Sequence, residues 1–281
     1  MMKQPATRVD GAHRRNGGGV NPTNVRPMSQ IATTATATFG PGATAVVTGA
    51  SGGIGRAIVD ELLGRGLTIH AVALADAAIE SLYEIDGVHV HPLDVRNTAA
   101  LAALIANIDV DVLVNNAGII GELQPIQHYG AATADALLDI NLRASIHATL
   151  AALPGMVARN RGHVFFTGSI AGSRPTSNTA VYSATKAGLA AFADGLRMDL
   201  LGTALRVTLL APGRVETNLY DATLGGHDAA IAKLYSGAIA IQPANIATLV
   251  GVALSLPAHV DVTRLEVMPT AQVFGGSALS G

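Results

Sequence analysis

The sequence predicts an α/β fold, a parallel sheet with helices on both of its faces, and three observations lead there. Short β-branched runs alternate with helical patterns between about residues 43 and 268. A glycine-rich turn joins the first of those strands to the first helix, and the apolar run Val164-Phe165-Phe166-Thr167 ends in Gly168-Ser169 ahead of a helix that carries Tyr182 and Lys186. Strands alternating with helices make βαβ units, and such units place ligands outside the carboxyl ends of the strands.

Ala43 to Thr48 reads as the first strand, and Gly49-Ala50-Ser51-Gly52-Gly53-Ile54-Gly55 then leads into a helical pattern from Arg56 to Gly66. Glycines let a backbone turn tightly and approach a pyrophosphate, whose charge is stabilised by free amides and the positive end of the helix dipole. Further strands are expected at about 68–74, 88–93, 110–115, 162–168, 204–210 and 263–268. Helices are expected near 53–65, 76–85, 97–107, 133–159, 179–201, 226–237 and 243–256.

With 281 residues, 49% of them apolar, the chain can bury a substantial core, and no repeat or linker interrupts 44–270. Residues 41–275 are therefore expected to form one domain. Residues 1–40, rich in Arg, Gly, Thr and Asn, are expected to be a disordered tail. A formal charge of −2 leaves no footprint for nucleic acid or an anionic membrane, and no apolar run reaches spanning length, so a soluble, cytoplasmic protein is expected. Cysteine is absent, which removes disulfides and thiolate metal sites. His89-x-His91 alternates along a strand, but with no third ligand in view it reads as surface histidines on a sheet edge, and no metal is expected.

Tyr182 and Lys186 lie four residues apart, so their side chains share one helix face. A phenol, with a reference pKa of about 10, is a poor proton carrier near neutrality, and a neighbouring ammonium favours its ionised form. Lys186 thus reads as the tuning device for Tyr182 as general acid/base, with the Ser169 hydroxyl polarising a carbonyl oxygen. The implied chemistry interconverts a carbonyl and an alcohol. Any amphipathic helix can show a Tyr-x-x-x-Lys pair. Here, however, the chain has three lysines in all, and Lys186 sits among Ala184, Ala187, Gly188, Leu189 and Ala190, an apolar setting for a solvated side chain.

Three further stretches close strands or interrupt helices. Asp94-Val95 ends the third strand and can bond an adenine edge or cap a helix. Asn115-Asn116-Ala117-Gly118 ends the fourth, and its small residues leave room for a flat ring. Asn141 falls in the middle of a long apolar helix, where an amide must be satisfied, either by local bonding that kinks the helix or by holding water near Lys186.

Taken together, Thr48-Gly49-x-x-x-Gly53-x-Gly55, Asp94, Asn115 to Gly118, Asn141, Ser169, Tyr182-x-x-x-Lys186 and Pro212-Gly213-x-Val215-x-Thr217 resemble, in order and spacing, the short-chain dehydrogenase/reductase family over about 44–270. The resemblance implies a doubly wound, Rossmann-like sheet of seven strands, NAD or NADP as cofactor, and a homotetramer or homodimer. It implies Tyr182 as general acid/base, Ser169 orienting the substrate oxygen, Lys186 holding the nicotinamide ribose, and Asn141 anchoring a proton-relay water. It also implies Gly49, Ser51, Gly53, Ile54 and Gly55 around the pyrophosphate, and Asp94 and Val95 at the adenine. Asn116, Ala117 and Gly118 would lie at the adenosine ribose, with Pro212, Gly213, Val215 and Thr217 at the nicotinamide. The segments Leu256 to Val260 and Leu265 to Thr270 look like the branch of bacterial 3-hydroxy acid dehydrogenases that oxidise serine and allo-threonine, whereas 213–226 looks more like the general family.

One departure bears on the cofactor. Where the family carries an acid for NAD or an arginine for NADP, this chain has Ala73 and Leu74, followed by Asp76. A 2′-phosphate needs positive partners, so the reading tilts to NAD, with Arg56 or Arg96 as the cations able to reverse it. Residues 214–241 should shape substrate specificity, with Gly225-Gly226 as a hinge; Arg174, Arg214 and His227 either face a substrate anion or are solvent-exposed. The expected activity is NAD(P)-dependent interconversion of a small secondary alcohol, a hydroxy acid among the options, and its ketone. A 3-oxoacyl-thioester reductase is the alternative within that class. A non-catalytic cofactor-sensing protein is the alternative outside it.

Overall fold

The computed structural model describes residues 39–235 and 239–272. Seven strands, β1 (Thr44–Thr48), β2 (Thr68–Ala73), β3 (Val88–Pro92), β4 (Val112–Asn115), β5 (Gly162–Thr167), β6 (Leu205–Pro212) and β7 (Arg264–Val267), form one sheet in the order β3-β2-β1-β4-β5-β6-β7. Every neighbouring pair is parallel. The chain winds outward from β1 to β3, returns to β4 on the other side of β1, and winds outward again. This reversal opens a crevice above the carboxyl ends of β1 and β4, where doubly wound sheets bind ligands.

The alternating side chains of the strands divide the core in two. Val47 and Phe165 face a layer with Ile58 and Leu62 of α1 (Gly53–Gly64) and Ile246, Val250 and Leu254 of α9 (Pro243–Ser255). Val46 and Phe166 face the opposite layer, with Leu101 and Ile105 of α3 (Thr98–Ala106), Ala148 and Met156 of α5 (Ala144–Ala158), and Leu189 and Leu196 of α6 (Ala180–Asp199). β4, β5 and β6 are buried along their whole length, which is why they read as near-continuous apolar runs.

Several expected elements differ in extent. The helix expected over 76–85 shrinks to α2 (Ala77–Glu80): the Asp76 carboxylate caps it by accepting from Ala78 and Ile79 amides, and turns follow. The helix expected over 133–159 is α4 (Ala131–Leu138) and α5, joined by a π-turn over Asp139–Arg143 that contains the fully buried Asn141. The helix expected over 226–237 begins earlier, as α7 (Asp221–Leu224), and breaks before α8 (His227–Leu234) at Gly225 and Gly226, whose φ values of 84° and 120° suit glycine alone. Residues 1–38, 236–238 and 273–275 of the expected tail, helix and domain lie outside the described residues. Phe39, within the segment expected as tail, is 2% exposed and packs in the core beneath the guanidiniums of Arg161 and Arg206. An aromatic ring beneath two cations gains both burial and cation–π attraction.

The His89-x-His91 pair does meet another histidine. His70 on β2 pairs in register with His89, and its Nδ1 lies 3.0 Å from His91 Nε2. Among the described residues no group of three or more His, Cys, Asp or Glu is arranged to hold a metal ion, and no helix is long and apolar enough to cross a membrane.

Candidate active site

At the carboxyl end of β1 the Thr48 hydroxyl accepts from the amides of Asn116 (3.0 Å) and Ala117 (3.1 Å) and donates to Val114 O (3.3 Å). Asn116 Nδ2 donates back to Thr48 O (3.1 Å) and Gly49 O (3.2 Å). These bonds lace the ends of β1 and β4 and fix the floor of the crevice. Gly49 and Gly53 have φ of 65° and 51°, and a Cβ on Gly49 would stand 2.9 Å from Ala117 Cα. A Cβ on Gly55 would collide with the Gly49 carbonyl oxygen, so Gly55 serves the close packing of turn and helix.

Gly52 precedes α1 and no described side chain caps it, so the first-turn amides and the positive end of the dipole are left for an anion. The space above is a cleft of about 420 Å³ whose lining includes Gly49, Ser51, Gly53, Ile54, Asn116, Ala117 and Gly118 together with Ser169, Tyr182, Lys186, Pro212, Gly213, Val215 and Thr217. A cradle a Cβ would fill, a bare helix N-terminus and a cleft of this volume together fit a dinucleotide.

Ser169 follows the buried end of β5, in extended backbone, and its Oγ accepts from the Ala171 amide (3.1 Å). Tyr182 and Lys186, on the first turns of α6, are 8% and 5% exposed. Lys186 Nζ donates to Thr167 O (2.8 Å) and lies 5.8 Å from the centre of the Tyr182 ring. Burial pushes the ammonium down to about 8. The expected lowering of the tyrosine by Lys186 is not what the protein's own groups produce: burial raises the Tyr182 phenol above its usual value, the neighbouring Tyr220 adds to that, and a hydrogen bond with Ser169 pulls against it. Desolvation dominates because the ammonium is turned toward a carbonyl and is itself poorly solvated.

Asn141 is satisfied by distant segments of the chain rather than by the local bonding its position suggested. Its Oδ1 accepts from the Ile119 amide (2.8 Å), its Nδ2 donates to Ile119 O (2.9 Å), and the same nitrogen lies 3.2 Å from Thr185 Oγ1, which donates to Tyr182 O (2.7 Å). The amide thus ties the π-turn to the strand-end segment after β4 and to α6. It remains close to Lys186, since both Asn141 Oδ1 and Lys186 Nζ flank Gly118.

Asp94 and Val95 stand apart from the cleft wall. The Asp94 carboxylate grips the Arg96 guanidinium (Nε to Oδ2, 2.8 Å), which holds its pKa below the usual range, and Val95 is buried in the core. At the end of β2, Leu74 and Asp76 line the cleft; Leu74 is 55% exposed and Asp76 is engaged in capping α2. Arg56 is held by Asp60 (3.0 Å) and by Ser81 Oγ (2.8 Å).

On the far side of Ser169 and Tyr182 a smaller cavity of about 60 Å³ is walled by Arg174, Arg214, Tyr220 and Gln272 among others. Arg174 pairs with Glu266, and the Arg214 guanidinium lies 5.4 Å above the Tyr220 ring. Two of the three candidate anion-binding residues therefore reach the site. His227 does not: it is exposed and lies 3.3 Å from Asp221. Sequence reasoning missed Tyr220, Leu219 and Gln272, which line these spaces. Tyr220 follows Thr217 closely enough to have been suspected, whereas nothing in the chain order connects Gln272 to position 214, whose amide donates to its Oε1 (2.8 Å).

Comparison with known proteins accords with this geometry. A family model described as short chain dehydrogenase matches residues 43–224. An uncharacterised short-chain type dehydrogenase/reductase of Sinorhizobium fredii is 46% identical over 236 residues, 84% of this chain and 95% of that one. The NADP-dependent 3-hydroxy acid dehydrogenase of Escherichia coli is 36% identical over 239 residues, 82% of this chain and 96% of that one. The solved closed form of serine dehydrogenase complexed with NADP+ superposes with a TM-score of 0.79 at 35% identity, covering 83% of this chain and 97% of that one. Where those relatives' names state a cofactor it is NADP, which gives no support to the tilt toward NAD. With the crevice, the glycine turn and the family match in agreement, the chain belongs to the short-chain dehydrogenase/reductase family and is an NAD(P)-dependent oxidoreductase.

Proposed function

We propose that the protein interconverts a small secondary alcohol and its ketone, with Tyr182 as general acid/base, and that a 3-hydroxy acid is the first substrate to try. The observation that carries this is the gathering of Ser169, Tyr182 and Lys186 on the wall of the same cleft that the glycine cradle lines. The bound dinucleotide supplies the hydride chemistry at its nicotinamide. Ser169 orients the substrate oxygen toward the phenol. Tyr182 gives its proton to that oxygen as a ketone is reduced and takes one from it as an alcohol is oxidised. Lys186, fixed by Thr167 O, holds positive charge beside the ring, and Asn141 positions the helix that carries both.

A raised Tyr182 favours the protonated phenol at neutral pH. Reduction should therefore be the faster direction there, and oxidation should accelerate as pH rises. NADP is the proposed cofactor, supported by the NADP-dependent relatives; Arg56, on α1 and bonded across to Ser81 after α2, is the cation proposed for its 2′-phosphate. An oligomer of two or four subunits is also proposed, supported by the exposed Leu150, Val157 and Met198 on α5 and α6, and light scattering tests it.

The test is a steady-state assay of NADPH and NADH against small ketones, 3-oxo acids and 3-oxoacyl thioesters. Turnover of small ketones or oxo acids with NADPH preferred is expected. Turnover of thioesters alone would replace the reading by a 3-oxoacyl-thioester reductase, and cofactor binding with no turnover of any would leave a sensing role.

A further inference from the structure

We propose that Arg214, assisted by Arg174, binds the carboxylate of the substrate, so that the site selects small hydroxy and oxo acids over neutral alcohols and ketones. The inference rests on the alcohol–ketone reading above. The smaller cavity is where the substrate must project once its reacting carbon faces Ser169 and Tyr182, because those two residues line both this cavity and the cofactor cleft. At about 60 Å³ it has room for roughly four or five water-sized groups, the scale of a three- or four-carbon acid.

The chemistry of its wall is cationic. Arg214 is a buried residue, 9% exposed, and a guanidinium removed from water favours an anion. Its planar fork matches a carboxylate in a way that a point charge does not. The main chain holds it in place, since its amide donates to Gln272 Oε1 (2.8 Å) and its carbonyl accepts from the Ile241 amide (3.2 Å). The Tyr220 ring lies below the guanidinium and also acts on Tyr182, which places Tyr220 between the charged end and the reacting end. Arg174 shares its charge with Glu266, which Arg264 also contacts, so it supports the anion rather than anchoring it.

The experiment compares 3-hydroxybutyrate with its methyl ester, which keeps the carbinol and removes the charge, in the wild type, Arg214→Met and Arg214→Lys. Binding is read separately by titrating malonate, a non-reacting diacid, against the fluorescence of enzyme-bound NADPH. Arg214→Met should lower the acid-to-ester ratio of kcat/KM by roughly 10- to 100-fold, as loss of a charged hydrogen bond does, mainly through KM. Arg214→Lys should fall between, and malonate binding should weaken in step while the Kd for NADPH stays near the wild-type value.

An unchanged ratio, with acid and ester losing equally, overturns the inference and leaves the alcohol–ketone reading standing. Wild-type enzyme that oxidises the ester and not the acid does the same. Wild-type enzyme that binds NADPH and turns over neither compound counts against the underlying reading instead. If Arg214→Met fails to bind NADPH at all, wild-type preference and malonate competition decide alone: preference for the ester with no malonate inhibition overturns the proposal.

Discussion

The glycine turn after β1 and the small cavity proposed for the substrate are built on opposite plans. The turn offers main chain to the proposed dinucleotide: positive φ at Gly49 and Gly53, an uncapped α1, and the absence of any Cβ between Gly55 and Gly49. The proposed substrate end is made of side chains from separated stretches, with Ser169, Arg174, Tyr182, Arg214, Tyr220 and Gln272 converging on one small cavity. Main-chain recognition depends on residue spacing and is read directly from order in the chain. Side-chain recognition depends on loop paths, and those are settled only when the fold closes.

The largest effect that would test this contrast lies at the turn. Gly55→Ala should abolish measurable NADPH binding and lower Tm by several degrees, because the new methyl collides with a carbonyl that cannot move without shifting β1 or α1. Fluorescence titration with a thermal scan checks it, and near-normal binding would show that the turn is more yielding than its packing implies.

Lys186→Met ranks next. A group whose folded pKa is depressed, to about 8 against an ordinary value near 10.5, leaves the unfolded chain holding more protons between those values. Stability attributable to Lys186 is lowest below about pH 8 and rises as pH increases toward 10.5. The Tm of the wild type should therefore gain on that of Lys186→Met across this window, while turnover in the variant stays at least about 100-fold down at every pH. Parallel Tm profiles would contradict the buried, poorly solvated ammonium.

Arg56→Ala probes the adenosine end and should raise the Kd of NADPH by roughly 5- to 10-fold and that of NADH far less, in line with loss of one partly exposed charge contact. Equal changes for both cofactors would remove Arg56 from the 2′-phosphate. The smallest effect falls on the β2–β3 edge. Burial, and then the neighbouring His91 and His89, push His70 down to about 4, so the unfolded chain binds the extra proton between about 4 and 6.5 and stability is lost as pH falls through that range. Replacing His70 with Leu should flatten the acid limb of the Tm curve by a degree or two, and an unchanged limb would count against the histidine cluster as its source.

Much of the fold was legible because the β-branched runs and the helical spacing agree with each other: all seven strands fall where expected, with ends shifted by a residue or two. The sequence misleads where tertiary context overrides local pattern. Asn141 sits in an unbroken apolar stretch, and only its reciprocal pairing with the Ile119 peptide shows why the helix opens into a π-turn. Phe39 belongs to a segment of tail-like composition, yet two arginines more than a hundred residues away hold its ring in the core. In the site, the spacing of Tyr182 and Lys186 was plain, but the sign of the shift on Tyr182 was not, since desolvation is a property of the closed cleft rather than of two residues four apart.

The most direct measurement is a single turnover of enzyme-bound NADPH with a small oxo acid or ketone, in the wild type and in Tyr182→Phe, alongside the Kd of NADPH for each. Removal of one phenolic oxygen should leave that Kd within about threefold and slow reduction by roughly 100- to 10,000-fold. A Tyr182→Phe enzyme that binds NADPH and reduces the substrate at nearly the wild-type rate would contradict the role given to this residue.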